Sequence, residues 1–173
     1  MCWFELLFIR GSHCLYPVSL AKAVILVMST LLITACKEKA VIFPAVMHAP
    51  TRGYCGSCHM AYQPSMLPAA SWRVMMERLD DHFDEKISLK ATAKKDITRY
   101  LIANAGDVEK IGDPGRIALD GLQKNARLQR ITQTPYFLKE HRFLNNRILE
   151  EWVGSVANCP ACHVGAWVGD YRS

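Results

Sequence analysis

The sequence is short of several things, and each shortage narrows the reading. The apolar stretch from Ala23 to Ala35 falls short of the roughly 20 residues a spanning helix needs. No block of Lys or Arg is present, which leaves nucleic-acid binding without support at a net charge of +5. No convincing pair of strands can be drawn, so the expected class is all-α. No methionine follows Met76, which withholds that soft metal ligand from the C-terminal half. At 173 residues the chain is one ordinary domain or two very small ones. Very small domains bury little surface and need a staple.

The apolar stretch reads as an export signal. Lys22 precedes it, and it closes on Leu32-Ile33-Thr34-Ala35-Cys36. That context is similar to a bacterial lipobox, in which the cysteine is acylated and becomes the mature N-terminus. Cys36 is therefore the candidate lipidation site, and residues 1–35 the candidate signal peptide of lipoprotein type. Lys37 in second place does not suggest retention at the inner membrane. Loss of residues 1–35 removes Glu5, Arg10 and Lys22 and leaves +4.

Residues 36–54 contain two prolines and no helical period, and read as a tether. Ser71 to Phe83 is the best helix, with Ser71 as cap and Trp72, Met75, Met76, Leu79, His82 and Phe83 on one stripe. Ser88 to Asn104 is a second amphipathic helix, stopped by Gly106. Asp113-Pro114-Gly115 is a turn signal, so one unit is placed at 55–115 and another at 116–173. The second unit holds helical segments at Thr132–Leu144 and Ile148–Val153.

Four of the seven cysteines fall into two Cys-x-x-Cys-His motifs, Cys55-Gly56-Ser57-Cys58-His59 and Cys159-Pro160-Ala161-Cys162-His163. A zinc site or a thioredoxin-like pair explains Cys-x-x-Cys, but neither needs His directly after both pairs, and the βαβ context of the second is missing. The pattern fits covalent haem c. Both thiols add across the haem vinyl groups, and the adjoining His reaches the iron from beneath the ring. Cys55, Cys58, Cys159 and Cys162 are the attachment candidates, with His59 and His163 as proximal ligands. Two haems bring four propionates, so the holoprotein is close to neutral.

The sixth ligand decides the chemistry: His, Met or an open site. His82 lies 23 residues after His59, and His141 lies 22 residues before His163. Each segment is long enough to fold back over its own haem, which makes His82 and His141 the distal candidates. His48 is a spare on a Pro-rich mount. Met60, Met66, Met75 and Met76 are rivals at the first haem, though methionines at helical spacing are more often core.

The segments Cys55–Pro64, Leu67–Arg73, Leu79–Phe83, Arg130–Phe137, Glu140–Arg142 and Asn158–His163 together resemble the bacterial dihaem cytochrome c family, over about residues 43 to 171. The resemblance implies two haem-cored domains, the first similar to class I cytochrome c and the second smaller and irregular. It implies bis-histidine iron in both, from His59 with His82 and from His163 with His141. It also implies electron transfer to a small oxygen-binding c-type cytochrome, or company with a membrane cytochrome b. The family's usual Gly after His-Phe is Asp84 here.

The expected function is an exported, non-enzymatic electron relay carrying two covalent haem c groups. Tyr62 is placed to pack between the rings, and Trp72, Trp152 and Trp167 to pack on haem faces. The rivals are a peroxidase-like dihaem enzyme, a gas or redox sensor with one labile ligand, and a zinc protein.

Overall fold

The computed structural model describes residues 41–144 and 149–172. Among these the fold is helical, with no strand beyond isolated pairings of Ile42 with Asp170 and of His82 with Glu85. The helices are α1 (Ala49–Cys55), α2 (Ala69–Glu77), α3 (Ala91–Ala103), α4 (Asp113–Ala118) and α5 (Pro135–Glu140). Single 3-10 turns fill many of the joints, including Leu79–Asp81, Cys159–Ala161 and Ala166–Val168.

Residues 41–54 of the expected tether are more ordered than the two prolines there suggest. Pro50 sits in the first turn of α1, where a missing N–H costs nothing and a fixed φ favours the helix. Phe43 and Val46 ahead of it are buried. The α2 helix also departs from expectation. It starts at Ala69 after Pro68, so Ser71 lies inside it, fully buried, and does not cap it. It ends at Glu77, and the remaining expected residues form a 3-10 turn, because Leu79 and His82 use their backbone groups to bond Ile87 and Glu85. Helix α3 lies within the span expected for the second amphipathic helix but starts three residues later, with Ile97 and Leu101 buried and Asn104 closing the end onto the Tyr100 carbonyl. Among the described residues of the second half the helical elements are α5, a short π turn at Leu149–Val153 and single 3-10 turns.

Helices α2 and α3 pack together on Leu67, Trp72, Met76, Leu79, Ile97, Leu101 and Ala105. Full burial of side chains such as Leu67 and Ile97 is worth about 1.5–3 kcal/mol each. A smaller cluster of Phe43, Met66 and Ala118 touches Ile131, Tyr136 and Tyr171. Gly169 is required beside it: its φ is +83°, and an added Cβ would stand 1.9 Å from the Phe43 carbonyl oxygen. That close approach lets the Phe43 N–H donate to the Gly169 carbonyl at 2.9 Å.

Candidate haem sites

At the first site, α1 ends on Cys55, which leaves Cys58 and His59 on the turn beyond it. The His59 Nδ1–H donates to the Met60 carbonyl at 2.7 Å, which leaves Nε2 for a metal. The 3-10 turn after α2 carries His82 to the opposite side. The two ring centroids are 6.2 Å apart, with 20° between ring planes. A metal binds an imidazole nitrogen at about 2.0 Å, so rings on opposite sides of one metal have centroids roughly 6 Å apart. Burial, then the neighbouring His59, pushes the His82 pKa down, and this favours the neutral ring that coordination needs.

The turn that holds His82 is strained. His82 N–H donates to the Glu85 carbonyl at 2.8 Å, and Glu85 N–H returns the bond at 3.1 Å. Closing that pair forces Phe83 to φ 55° and Asp84 to φ 73°. Both are left-handed values, uncommon for a side chain as bulky as Phe. The guanidinium of Arg130, from the second half, lies 4.1 Å over the Phe83 ring.

At the second site, Thr134 caps α5, its Oγ1 accepting from the Phe137 N–H at 3.2 Å. His141 ends that helix. Its Nδ1–H donates to the Phe137 carbonyl at 2.9 Å, and the Phe137 ring lies on it at 3.9 Å. Facing it is His163, one turn beyond Cys159, whose carbonyl accepts the His163 backbone N–H at 2.8 Å. The ring centroids are 6.0 Å apart and the planes cross at 86°. His163 Nδ1 is buried without a hydrogen bond of ordinary length, although the Tyr171 carbonyl is near enough to favour its protonation. Burial and then His141 outweigh that, so its pKa goes down. A cavity of about 440 Å³ opens between the rings, lined by residues including Met66, Phe143, Val153 and Val156.

Burial pushes the thiols of Cys55 and Cys159 up, so both stand neutral, and none of the four motif cysteines is in a disulfide. Among the described residues no three or more His, Cys, Asp or Glu side chains converge as a metal cage. Two opposed histidines with thiols to one side suit a flat macrocycle, and a tetrahedral zinc site needs a different set. The residues present fit a haem at both places.

The two sites are bolted together. Tyr62 lies on His59 at 5.0 Å and 21°, and its hydroxyl donates to the Ala157 carbonyl at 2.8 Å, two residues before Cys159. Gln63, fully buried, donates from Nε2 to the Ala166 carbonyl at 2.8 Å and accepts from the Tyr171 hydroxyl at 2.5 Å. Tyr171 also meets the His163 ring at 5.5 Å.

Other expected candidates lie elsewhere. His48 is occupied: its ring stacks on Tyr100 at 4.6 Å, and its nitrogens meet Thr51 at 2.9 Å and Asp96 at 3.1 Å. Met60 and Met76 are buried core residues, while Met66 is buried but lines the cavity of the second site. Trp72 is buried and donates to the Pro64 carbonyl at 2.8 Å, while Trp152 and Trp167 are exposed and outside the cavity. Cys36 and the leader lie outside the described residues. Phe137 and Tyr171 join the second site without belonging to either motif. Phe137 was discoverable, being four residues before His141 on one helix face, whereas nothing local marks Tyr171.

A small helical body that sets two histidine pairs beside two Cys-x-x-Cys-His motifs defines a c-type cytochrome with two haems. The family model of dihaem cytochrome c matches residues 51–171. A solved dihaem cytochrome c from Rhodobacter sphaeroides is similar, with 40% identity over 73% of this chain and 98% of its own, at a TM-score of 0.66. A second structure from that organism, of DHC purified from it, has 35% identity over 73% and 98%, at 0.61. One from Shewanella baltica OS155 has 29% identity over 72% and 86%, at 0.57. A comparison with curated proteins gave no match. The chain belongs to the dihaem cytochrome c family and carries two covalently bound haem c groups. It is a haem-binding electron-transfer cytochrome.

Proposed function

We propose that the chain is an exported relay in which both irons are bis-histidine ligated. In this reading Cys55 and Cys58 tether the first haem and His59 and His82 bind its iron. Cys159 and Cys162 tether the second, and His163 and His141 bind that iron. The observation that carries the reading is the pair of opposed imidazoles, 6.2 Å and 6.0 Å apart, one beside each motif. When bound, the haems supply one-electron chemistry between ferric and ferrous iron.

The chain's own contribution would be to hold each haem iron with two histidines, His59 with His82 and His163 with His141, and to fix their rings. Nδ1–H bonds to backbone carbonyls orient His59 and His141. With neither iron open, small ligands are kept out, which favours relay over the peroxidase and sensor alternatives. Tyr62 joins the proximal ring of one site to the strand of chain leading into Cys159, and so shortens the route between haems. Export is supported by the leader ahead of Cys36 in company with the two motifs. Among the described residues no helix is long and apolar enough to cross a membrane. The partners are other redox proteins, a small c-type cytochrome or a membrane cytochrome b, as the sequence resemblance implies.

The test is a spectrum of the mature holoprotein in both redox states with carbon monoxide. Two low-spin irons that take no carbon monoxide are expected. His82→Ala and His141→Ala should each open one iron, so that about half of the haem binds the gas. A methionine-to-iron band, or gas binding by the unaltered protein at neutral pH, would overturn the ligation and with it the relay.

A further inference from the structure

The 3-10 turn after the second motif presents an apolar surface that the haem does not use. Val164 is 91% exposed, Val168 61% and Trp167 58%. None of them lines the cavity between His141 and His163, so filling that cavity leaves them in water. The turn itself is rigid: Gln63 holds the Ala166 carbonyl from beneath, and Gly169 is locked against Phe43. Ile42, half exposed, is paired alongside at Asp170 and extends the same surface.

What covers it is indicated by where the chain comes from. Ile42 is the second described residue, and Cys36 is only six positions before it. The five residues from 37 to 41 reach at most about 18 Å when extended. A lipid on Cys36 therefore cannot hold the body far from a bilayer, and the part of the body at the root of that short tether is this apolar turn. Trp is a side chain suited to the boundary between headgroups and acyl chains, and Lys37 and Lys39 lie on the tether where anionic headgroups would meet them. A probe with a single acyl chain binds a membrane only marginally, so a second attachment is readily seen beside it.

We infer that Val164, Trp167 and Val168, with Ile42, rest in the interfacial layer of the bilayer that anchors Cys36, so that the second haem motif faces the membrane. This rests on the reading of Cys36 as a lipid attachment. It gives the second haem the membrane side, suited to a membrane-embedded redox partner.

The test uses the holoprotein beginning at Cys36, whose thiol is coupled through maleimide to a single acyl chain, on vesicles of phosphatidylethanolamine and phosphatidylglycerol. Partition is followed by haem absorbance after sedimentation. V164S/W167Q/V168S should bind about tenfold or more weakly, at low and high salt alike. Leu138→Ser, which removes an exposed apolar side chain from α5, should bind as the unaltered protein does. Unchanged haem spectra establish that the variants are folded, and V164S alone should show a smaller loss in the same direction. Equal partition of the triple variant overturns the proposal, as does concentration-dependent self-association that the triple variant abolishes, which would make a second copy the occupant. The mass of the mature N-terminal peptide from cells separates the two readings. An unmodified Cys36 overturns the anchor, whereas an acylated Cys36 with equal partition overturns only the membrane-facing turn.

Discussion

Asp84 occupies a left-handed position directly after His82 and Phe83, where the sequence resemblance leads one to expect glycine. Asp tolerates that region better than most residues but at a cost. Asp84→Gly should therefore stabilise the protein by about 1 kcal/mol, less what glycine's freer unfolded chain takes back. A rise in melting temperature of a few degrees, read on the oxidised holoprotein, is the expected result. A fall would mean that the Asp side chain holds the turn. Tyr62 offers a second residue-scale test. Burial, with a contribution from Cys159, pushes its phenol up to about 12. The neutral form is the one that fits, so its stabilisation is complete below the ordinary value near 10 and is lost as pH rises toward 12. Tyr62→Phe should flatten that alkaline limb.

The histidines of the candidate sites stand at or just beyond the ends of short helices and turns, so those ends matter more than the interiors. Thr134 is 1% exposed and holds α5 from both sides, accepting from Phe137 and donating to the Ile131 carbonyl at 2.9 Å. Thr134→Ala should cost about 1–2 kcal/mol in chemical denaturation. Because His141 ends that helix, the loss should also raise carbon monoxide binding at the second haem and leave the first unchanged. Spectra that stay the same would mean His141 is positioned by Phe137 alone.

The same scale shows what the sequence could and could not reveal. The two motifs were legible because the chemistry fixes spacing and neighbour. His82 and His141 were legible because each stands within folding-back distance of its motif. Helix α1 was not, because Pro50 read as a breaker in the one place where proline starts a helix. The early end of α2 was hidden too, since the bonds from Leu79 and His82 to Ile87 and Glu85 are made by backbone groups that carry no side-chain signature. The boundary near Asp113 gave no hint of Gln63 or Tyr171, whose contact joins positions 108 residues apart.

For the whole molecule, those long-range bonds and the haems replace much of a conventional core. Gln63→Ala would take the Gln63 bond from both the Ala166 carbonyl and the Tyr171 hydroxyl in a buried place, leaving the carbonyl only the Gly169 N–H at 3.0 Å and the hydroxyl only the Met66 sulfur at 3.9 Å. A loss of about 2–4 kcal/mol is expected, larger than from Tyr171→Phe, which empties one bond. Equal losses would show that only the Tyr171 bond matters. In the second half, Phe143 and Leu144 line the cavity yet remain exposed to it. Replacing both Cys159 and Cys162 with Ala should therefore cost helical circular dichroism and protease resistance in residues 130–171, while the α2–α3 packing survives.

The crossing of the imidazoles has a consequence of another kind. With ring planes 20° apart, the first pair would lift the degeneracy of the iron orbitals that overlap the rings; at 86° the second pair would leave them almost equal in energy. The unpaired electron of ferric iron would then sense a rhombic field in one site and a nearly axial field in the other. Two irons with the same ligands would be different magnets, each traceable by its own resonance as the molecule takes up its two electrons.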